Sequence, residues 1–168
     1  MPDEPKPIGM DATGYEVLTK AVLALMMEYS EIVGRDIYFE EIGEDSGIAF
    51  SADNGALIMS ETKDILGGYL QQCQYPFYVV YRSASTNEKQ KLQVQTFLDS
   101  LGKWICMEPA EINGKTYTLK SYPTLTQGRK ITRVTRLNSY GLEPAKNGVQ
   151  DWLLPVTVLY TNEIPPKW

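Results

Sequence analysis

The chain contains no histidine. Histidine is the commonest general acid–base and the commonest transition-metal ligand. Its absence removes the Ser-His-Asp triad, the Cys-His pair and every histidine-based zinc site. Cys73 and Cys106 are the only cysteines, too few for a four-thiolate zinc site and enough for one bridge at most. In a chain folded in a cytoplasm such a pair is expected to be free thiols. No apolar run reaches the ~20 residues that span a bilayer, so no membrane association is expected. The amino-terminal MPDEPKPIGM has neither the basic nor the apolar stretch of a secretion signal. Phosphate-binding glycine loops of the G-x-G-x-x-G or G-x-x-x-x-G-K-[ST] type are missing, and neither an internal repeat nor a low-complexity tract is present. No cofactor is expected. A carboxylate-dependent enzyme remains open in principle, since two acids converging in a pocket leave no mark in sequence.

What is there is an ordinary globular composition, 43% hydrophobic and 22% charged over 168 residues, enough chain for one domain with its own core. The net charge of −5 hides an asymmetry: residues 1–64 carry fourteen acids and four bases, whereas 112–142 carry six bases and no acid. Two differently charged solvated surfaces would satisfy this pattern. So would an acidic patch meeting a basic patch on another copy, or a basic arm on nucleic acid.

Residues 1–12, with three prolines in the first seven, read as a flexible leader before a single domain over 13–168. Thr13 and Glu16 fit a capping box opening a helix over 14–32. Tyr15, Leu18, Val22, Leu25, Met26 and Tyr29 form its apolar stripe and Gly34 its stop. A strand over 35–42 ends in the exposed acids Glu40 and Glu41. The turn GEDSG carries Glu44 and Asp45, whose expected role is turn chemistry. Short strands over 47–51 and 55–60 are joined by the turn signal Asn54-Gly55. Gly67-Gly68 breaks whatever spans 61–73.

The stretch QYPFYVVYR (74–82) reads as a central strand covered on both faces, with Pro76 at its first position. Ser85 and Glu88 make a second capping box. The helix behind it places Val94, Phe97, Leu98, Leu101 and Ile105 on one stripe, with Gly102 as its stop. Ser83, Ser85 and Thr86 lack the glycines and the base of a nucleophile elbow. From residue 106 the chain turns rich in Thr, Tyr, Gly and Pro. Tyr117–Lys120 and Ile131–Leu137 look like paired strands without a clean apolar face, which fits a protruding β-hairpin arm over about 112–142 and equally an ordinary solvated hairpin. A closing strand, 151–164, has Trp152, Leu154, Val156, Val158 and Tyr160 on one parity, and Pro155 argues for an edge or a bulge.

The order helix, short strands, YPFYVVYR, capped turn, LQVQTFLDSLGKWI and closing strand resembles the minor capsid or tail-terminator-type proteins of the head–tail joining region of long-tailed phages and prophages of Gram-positive bacteria. The part that carries the likeness is roughly 74–105, about a quarter of the chain, supported by 151–161. The resemblance implies an α+β subunit with a mixed or largely antiparallel sheet and two helices packed on one face. It implies a structural role in the virion at the neck or tail end, after assembly in the host cytoplasm. The unit would be a homo-oligomeric ring, usually a hexamer, that meets tail-tube or head-connector proteins and touches nucleic acid only as the passing genome. No catalytic residue comes with it. Ring assembly needs heterologous contacts. The residues expected to make them are Arg129, Lys130, Arg133 and Arg136 against Glu40, Glu41, Glu44 and Asp45; Trp168, after two prolines, reads as untied, with a neighbouring subunit as its pocket if it docks. The alternative is a binding module outside virions that uses the basic arm on nucleic acid or a partner protein.

Overall fold

The computed structural model describes residues 5–84 and 87–167. The fold is α+β: two helices lie on one face of an eight-stranded, mostly antiparallel sheet. In chain order come β1 (Gly9–Met10), α1 (Ala12–Val33), β2 (Tyr38–Phe39), β3 (Gly47–Ala52), β4 (Leu57–Lys63), β5 (Tyr69–Ser83) and α2 (Glu88–Ile105). Then follow β6 (Ala110–Ile112), β7 (Lys115–Tyr117), β8 (Arg129–Arg136), β9 (Tyr140–Gly141) and β10 (Gln150–Ile164).

Two fifteen-residue strands, β5 and β10, pair antiparallel along their whole length and form the spine. On one side β5 carries β3 at Phe77–Arg82 and β4 at Tyr69–Gln74. On the other side β10 carries β9 at Trp152–Leu153 and β8 at Val156–Asn162. β1 and the parallel pair β2–β3 complete the outer rows. Each spine strand thus changes partner halfway, and each change falls at a proline. The Pro76 carbonyl accepts from the Asp53 N–H, and the Pro155 carbonyl from the Leu137 N–H. A strand residue's nitrogen faces the same side as its carbonyl, so each ring nitrogen meets a break between two partners rather than a ladder. Pro76 is therefore mid-strand and not first, and Pro155 lies in a central strand, neither at an edge nor at a bulge.

The Asn54-Gly55 signal makes no hairpin. Both residues have positive φ (64° and 72°), but β3 and β4 are successive pieces lying along the same strand, β5, and the excursion at Asp53–Ala56 lies between them. It places the Ala56 carbonyl to accept the Asp11 N–H at 2.9 Å. The true hairpin is β4–β5, turned by Asp64, whose carboxylate accepts from the N–H groups of Leu66 and Gly68.

The apolar stripes form the core. Leu18, Val22, Leu25, Met26 and Tyr29 of α1 and Val94, Leu98, Leu101, Trp104 and Ile105 of α2 are buried. They face Tyr75, Phe77, Val79 and Tyr81 of β5 and Trp152 through Tyr160 of β10. Met27, beside core Met26, is exposed. The other face of β5 is not covered as expected: Tyr78, Val80 and Arg82 are half-buried, because both helices lie on the opposite side.

The helix ends differ from their sequence signals. α1 is capped by Asp11, not Thr13, and stops at left-handed Gly34 as expected. α2 is capped by Asn87, and Ser85 of the expected box lies outside the described residues. α2 runs through Gly102 to Ile105. Gly102 serves close packing instead of termination: a Cβ there would stand 2.5 Å from Cδ of Arg136. The leader is tied down from Ile8 onward through β1 and buried Asp11.

The predicted arm is not formed. Arg129–Arg136 belongs to the main sheet beside β10, while Tyr117 pairs with Ala110 in a small hairpin packed by buried Ala110 and Ile112. Thr132 is the extra residue of a β-bulge between Leu159 and Tyr160. A bulge shifts parity by one, so Ile131 and Val134, three apart, are both buried. That shift is why neither parity of this strand looks apolar in sequence.

Candidate subunit interface

Of the nine residues expected at an interface, the eight that the structure describes separate into buried and open groups. Arg129 is buried and bound to Asp11 through Nε (3.0 Å) and one terminal nitrogen (2.5 Å). The Tyr160 hydroxyl donates to the same carboxylate at 2.7 Å, and so does the Gly14 N–H at 3.0 Å. Gly14 leaves the room for this cluster, since a Cβ there would lie 2.7 Å from the Tyr160 hydroxyl oxygen. Burial raises the Asp11 pKa, but the bonds from Arg129, Tyr160 and Gly14 outweigh it and hold the carboxyl below its ordinary value. The hydrogen bond to Asp11 raises Arg129. Burial raises Tyr160 strongly and Cys73 beside it to about 11. Arg129 is thus a core residue that ties the start of α1 to β8 and cannot meet a neighbour. Arg136, 18% exposed in its side chain, lies between Asp99 (3.8 Å) and Glu108 (3.6 Å) across Gly102. It too is committed within the subunit. Trp168 lies outside the described residues.

Lys130 and Arg133 remain exposed on β8, the last strand on its side, and make no ion pair among the described residues. Glu40, Glu41, Glu44 and Asp45 are exposed in the loop from β2 to β3: Glu40 lies beside β3 at the opposite side of the sheet, whereas Glu44 lines a groove with Arg82, Leu142 and Asp151 at the end of the spine. Of these acids Glu40 is thus on the edge opposite the bases, though not at their height. Arg133 is level with Gln74, whereas the Glu40 N–H bonds to Phe50, which is level with Val79. Five strand positions separate them, roughly 17 Å at ~3.3 Å per residue.

Arg82, at the end of YPFYVVYR, faces Asp151 across the spine and binds it through two nitrogens at 2.7 and 2.9 Å, and it donates to the Gly43 carbonyl at 3.1 Å. Two parallel N–H···O bonds fix geometry as well as charge. The strand-to-helix corner is thus a joint that also holds the acidic 40–45 loop to the spine.

Two features carry no sequence signal. A polar row crosses the inner face: Asn162 donates to Gln71 (3.0 Å) and Gln71 to Glu61 (2.9 Å). The tip of the β4–β5 hairpin presents Ile65, fully exposed, and Leu66, 66% exposed, on a turn made rigid by Asp64. The turn falls within 61–73, where Gly67-Gly68 signals a break, and an apolar pair at its tip runs against the usual turn composition.

Both cysteines are free thiols. Among the described residues no group of three or more His, Cys, Asp or Glu could hold a metal ion, and no helix is long and apolar enough to cross a membrane. An open groove of about 510 Å³ runs along Thr132–Arg136 of β8, with Met107, Glu108 and Tyr122 also lining it. No protein-family model matches the chain, and no curated protein is significantly similar to it.

Proposed function

We propose that this chain is a structural subunit of a phage neck or tail end, of the tail-terminator or minor-capsid kind, and that it acts by assembling into a ring with copies of itself. The observation that carries this reading is the opposed charge on two sides of one sheet, exposed Lys130 and Arg133 on β8 and exposed Glu40 beside β3 on the far side. A surface that complements a different surface of the same molecule makes a heterologous contact, which closes into a ring when the rotation permits. The resemblance over 74–105 and 151–161 supplies the phage context. The joint at Arg82–Asp151 supports the same reading, since it fixes the acidic loop to the spine and so sets one surface relative to the other. The ring would be built in a host cytoplasm and meet tail-tube or connector proteins.

Native mass spectrometry across a range of concentration and salt tests the proposal. A closed oligomer that weakens with salt is the expected result. A strict monomer at high concentration, with or without a tail-tube partner, refutes it.

A further inference from the structure

The two ends of the spine differ in shape. At one end the β4–β5 hairpin holds Ile65 and Leu66 out in solvent. The turn that carries them is fixed. The Asp64 N–H donates to the Gly68 carbonyl at 2.9 Å, and the Asp64 carboxylate accepts from the Leu66 and Gly68 N–H groups. The chain's last segment lies against it: a Cβ on Gly68 would stand 3.1 Å from Cδ of Pro166. A knob already held in one shape binds at a lower entropic cost than a loop that must be ordered. At the other end, where Ser83 meets Gln150, lies a groove of about 230 Å³. Leu142, Ala145 and Val149 line it with apolar surface. Their turn is closed by the Ala145 N–H on the Val149 carbonyl at 2.8 Å and the Gly148 N–H on the Ala145 carbonyl at 2.9 Å. The volume is below the ~300–1,000 Å³ of small-molecule sites and suits one or two side chains.

Charge selects a second copy as the occupant. The groove carries two exposed acids, Glu44 and Glu143, and its other charges, Arg82 and Asp151, are bonded to each other. The tip carries two exposed bases: Lys63, over the Tyr69 ring at 5.9 Å, and Lys167, next to Pro166. Of the acids at that end, Asp64 is held by its own turn, Glu61 accepts from Gln71, and Glu163 is level with Leu70, inside the strand end. The sides of the sheet agree in direction. Lys130 and Arg133 lie toward the tip end, level with Gln72 and Gln74, and Glu40 lies toward the groove end, beside Phe50 and so level with Val79. A copy advanced along the spine brings its basic end to the acidic end of the next, and complementary potentials of this kind fix partner and orientation.

We propose that the Ile65–Leu66 tip of one copy seats in the groove lined by Leu142, Ala145 and Val149 of the next. This rests on the self-association reading and names a contact for it. Knob and groove stand at opposite ends of a fifteen-residue strand pair, roughly 45 Å apart at ~3.3 Å per residue. The contact is therefore head-to-tail and leaves one knob and one groove free until a ring closes.

The test uses the full chain. Ile65→Ser/Leu66→Ser, at exposed positions, should keep the parent's melting temperature and weaken assembly by about tenfold or more in sedimentation, since two aliphatic side chains no longer leave water. A second measurement uses disulfides on a Cys106→Ser background, since Cys73 is buried. One preparation carries Ile65→Cys and another Ala145→Cys, and circular dichroism confirms that each is folded. Mixed and oxidised, they should form disulfides between unlike variants, with few between like ones and none above background when Leu92→Cys, an exposed control on α2, replaces Ala145→Cys. If the chain assembles but the tip variant assembles equally well, or the mixed disulfides do not exceed the control, this contact is wrong and self-association stands. If the parent chain is strictly monomeric, both fall.

Discussion

Replacing Asp11 by alanine should destabilise the subunit more than any surface charge change, although Asp11 lies among acids and prolines that read as a flexible leader. Its carboxylate accepts four bonds, two from buried Arg129, one from Tyr160 and one from the Gly14 N–H that caps α1. Removing one partner of a buried pair leaves the other charge uncompensated, which costs ~3–5 kcal/mol, and part of that overlaps the ~1 kcal/mol of a lost N-cap. At about 2–4 °C per kcal/mol for a chain of this size, ~4 kcal/mol lowers the melting temperature by roughly 8–16 °C. Asp11→Asn/Arg129→Met keeps a cap and removes both charges, so it should recover most of the loss. Urea unfolding of the parent, both single variants and the double variant measures the coupling. The pH dependence has a definite sign. The folded carboxyl sits below its ordinary 3.8, so its contribution is full above about pH 4 and disappears as pH falls through the folded value. The gap between parent and Asp11→Asn should narrow in that acid range. A loss under ~1 kcal/mol for Asp11→Ala, or an Arg129→Met variant with parent stability but impaired assembly, would refute the argument and return Arg129 to the surface role its sequence context suggests.

Lys130→Glu and Arg133→Glu, both exposed, should each change unfolding free energy by less than ~0.5 kcal/mol, so any loss of oligomer they cause is a loss of contact; a matching loss of stability would contradict their placement. Gly102→Ala drives a methyl to 2.5 Å from Cδ of Arg136 and should cost ~1–3 kcal/mol by overpacking, with much of it recovered in Gly102→Ala/Arg136→Ala; equal loss in both would show that the clash is not with Arg136. Cys73, buried and raised to about 11, should resist thiol reagents at pH 8 in the native protein, where half-buried Cys106 reacts first; fast labelling of Cys73 would mean that the Asp11 cluster opens readily.

Much of the scaffold was readable because its periodicities are undisturbed. The α1 stripe from Leu18 to Tyr29 and the single parity from Trp152 to Tyr160 both lead straight to the core. What misled was chemistry that acts at a distance in sequence. Asn54-Gly55 carries the local signature of a reversal, yet β5 on one side holds β3 and β4 in line, and the turn becomes an excursion whose Ala56 carbonyl holds the N–H of the capping residue Asp11. Gly102 looks like a stop because its partner is a side chain thirty-four positions away. The bulge at Thr132 erased the parity of β8, and the bases on that strand then looked equally free. Two of them, Arg129 and Arg136, are committed inward by Asp11, Asp99 and Glu108.

That division bears on what the surface is for. If the six bases of 112–142 formed one arm, the strongest inference from charge would be phosphate binding, where counterion release scales with the number of neutralised groups. With Arg129 and Arg136 paired inside the subunit, four of the six remain exposed, Lys115, Lys120, Lys130 and Arg133, so fewer phosphates can be neutralised than the count of bases suggests. Lys130 and Arg133 do suffice to choose which strand edge approaches another, because edge pairing draws its affinity from the main chain and needs side chains only for selection. Exposed bases on a last strand therefore contribute more to the choice of a partner edge than to the affinity for it.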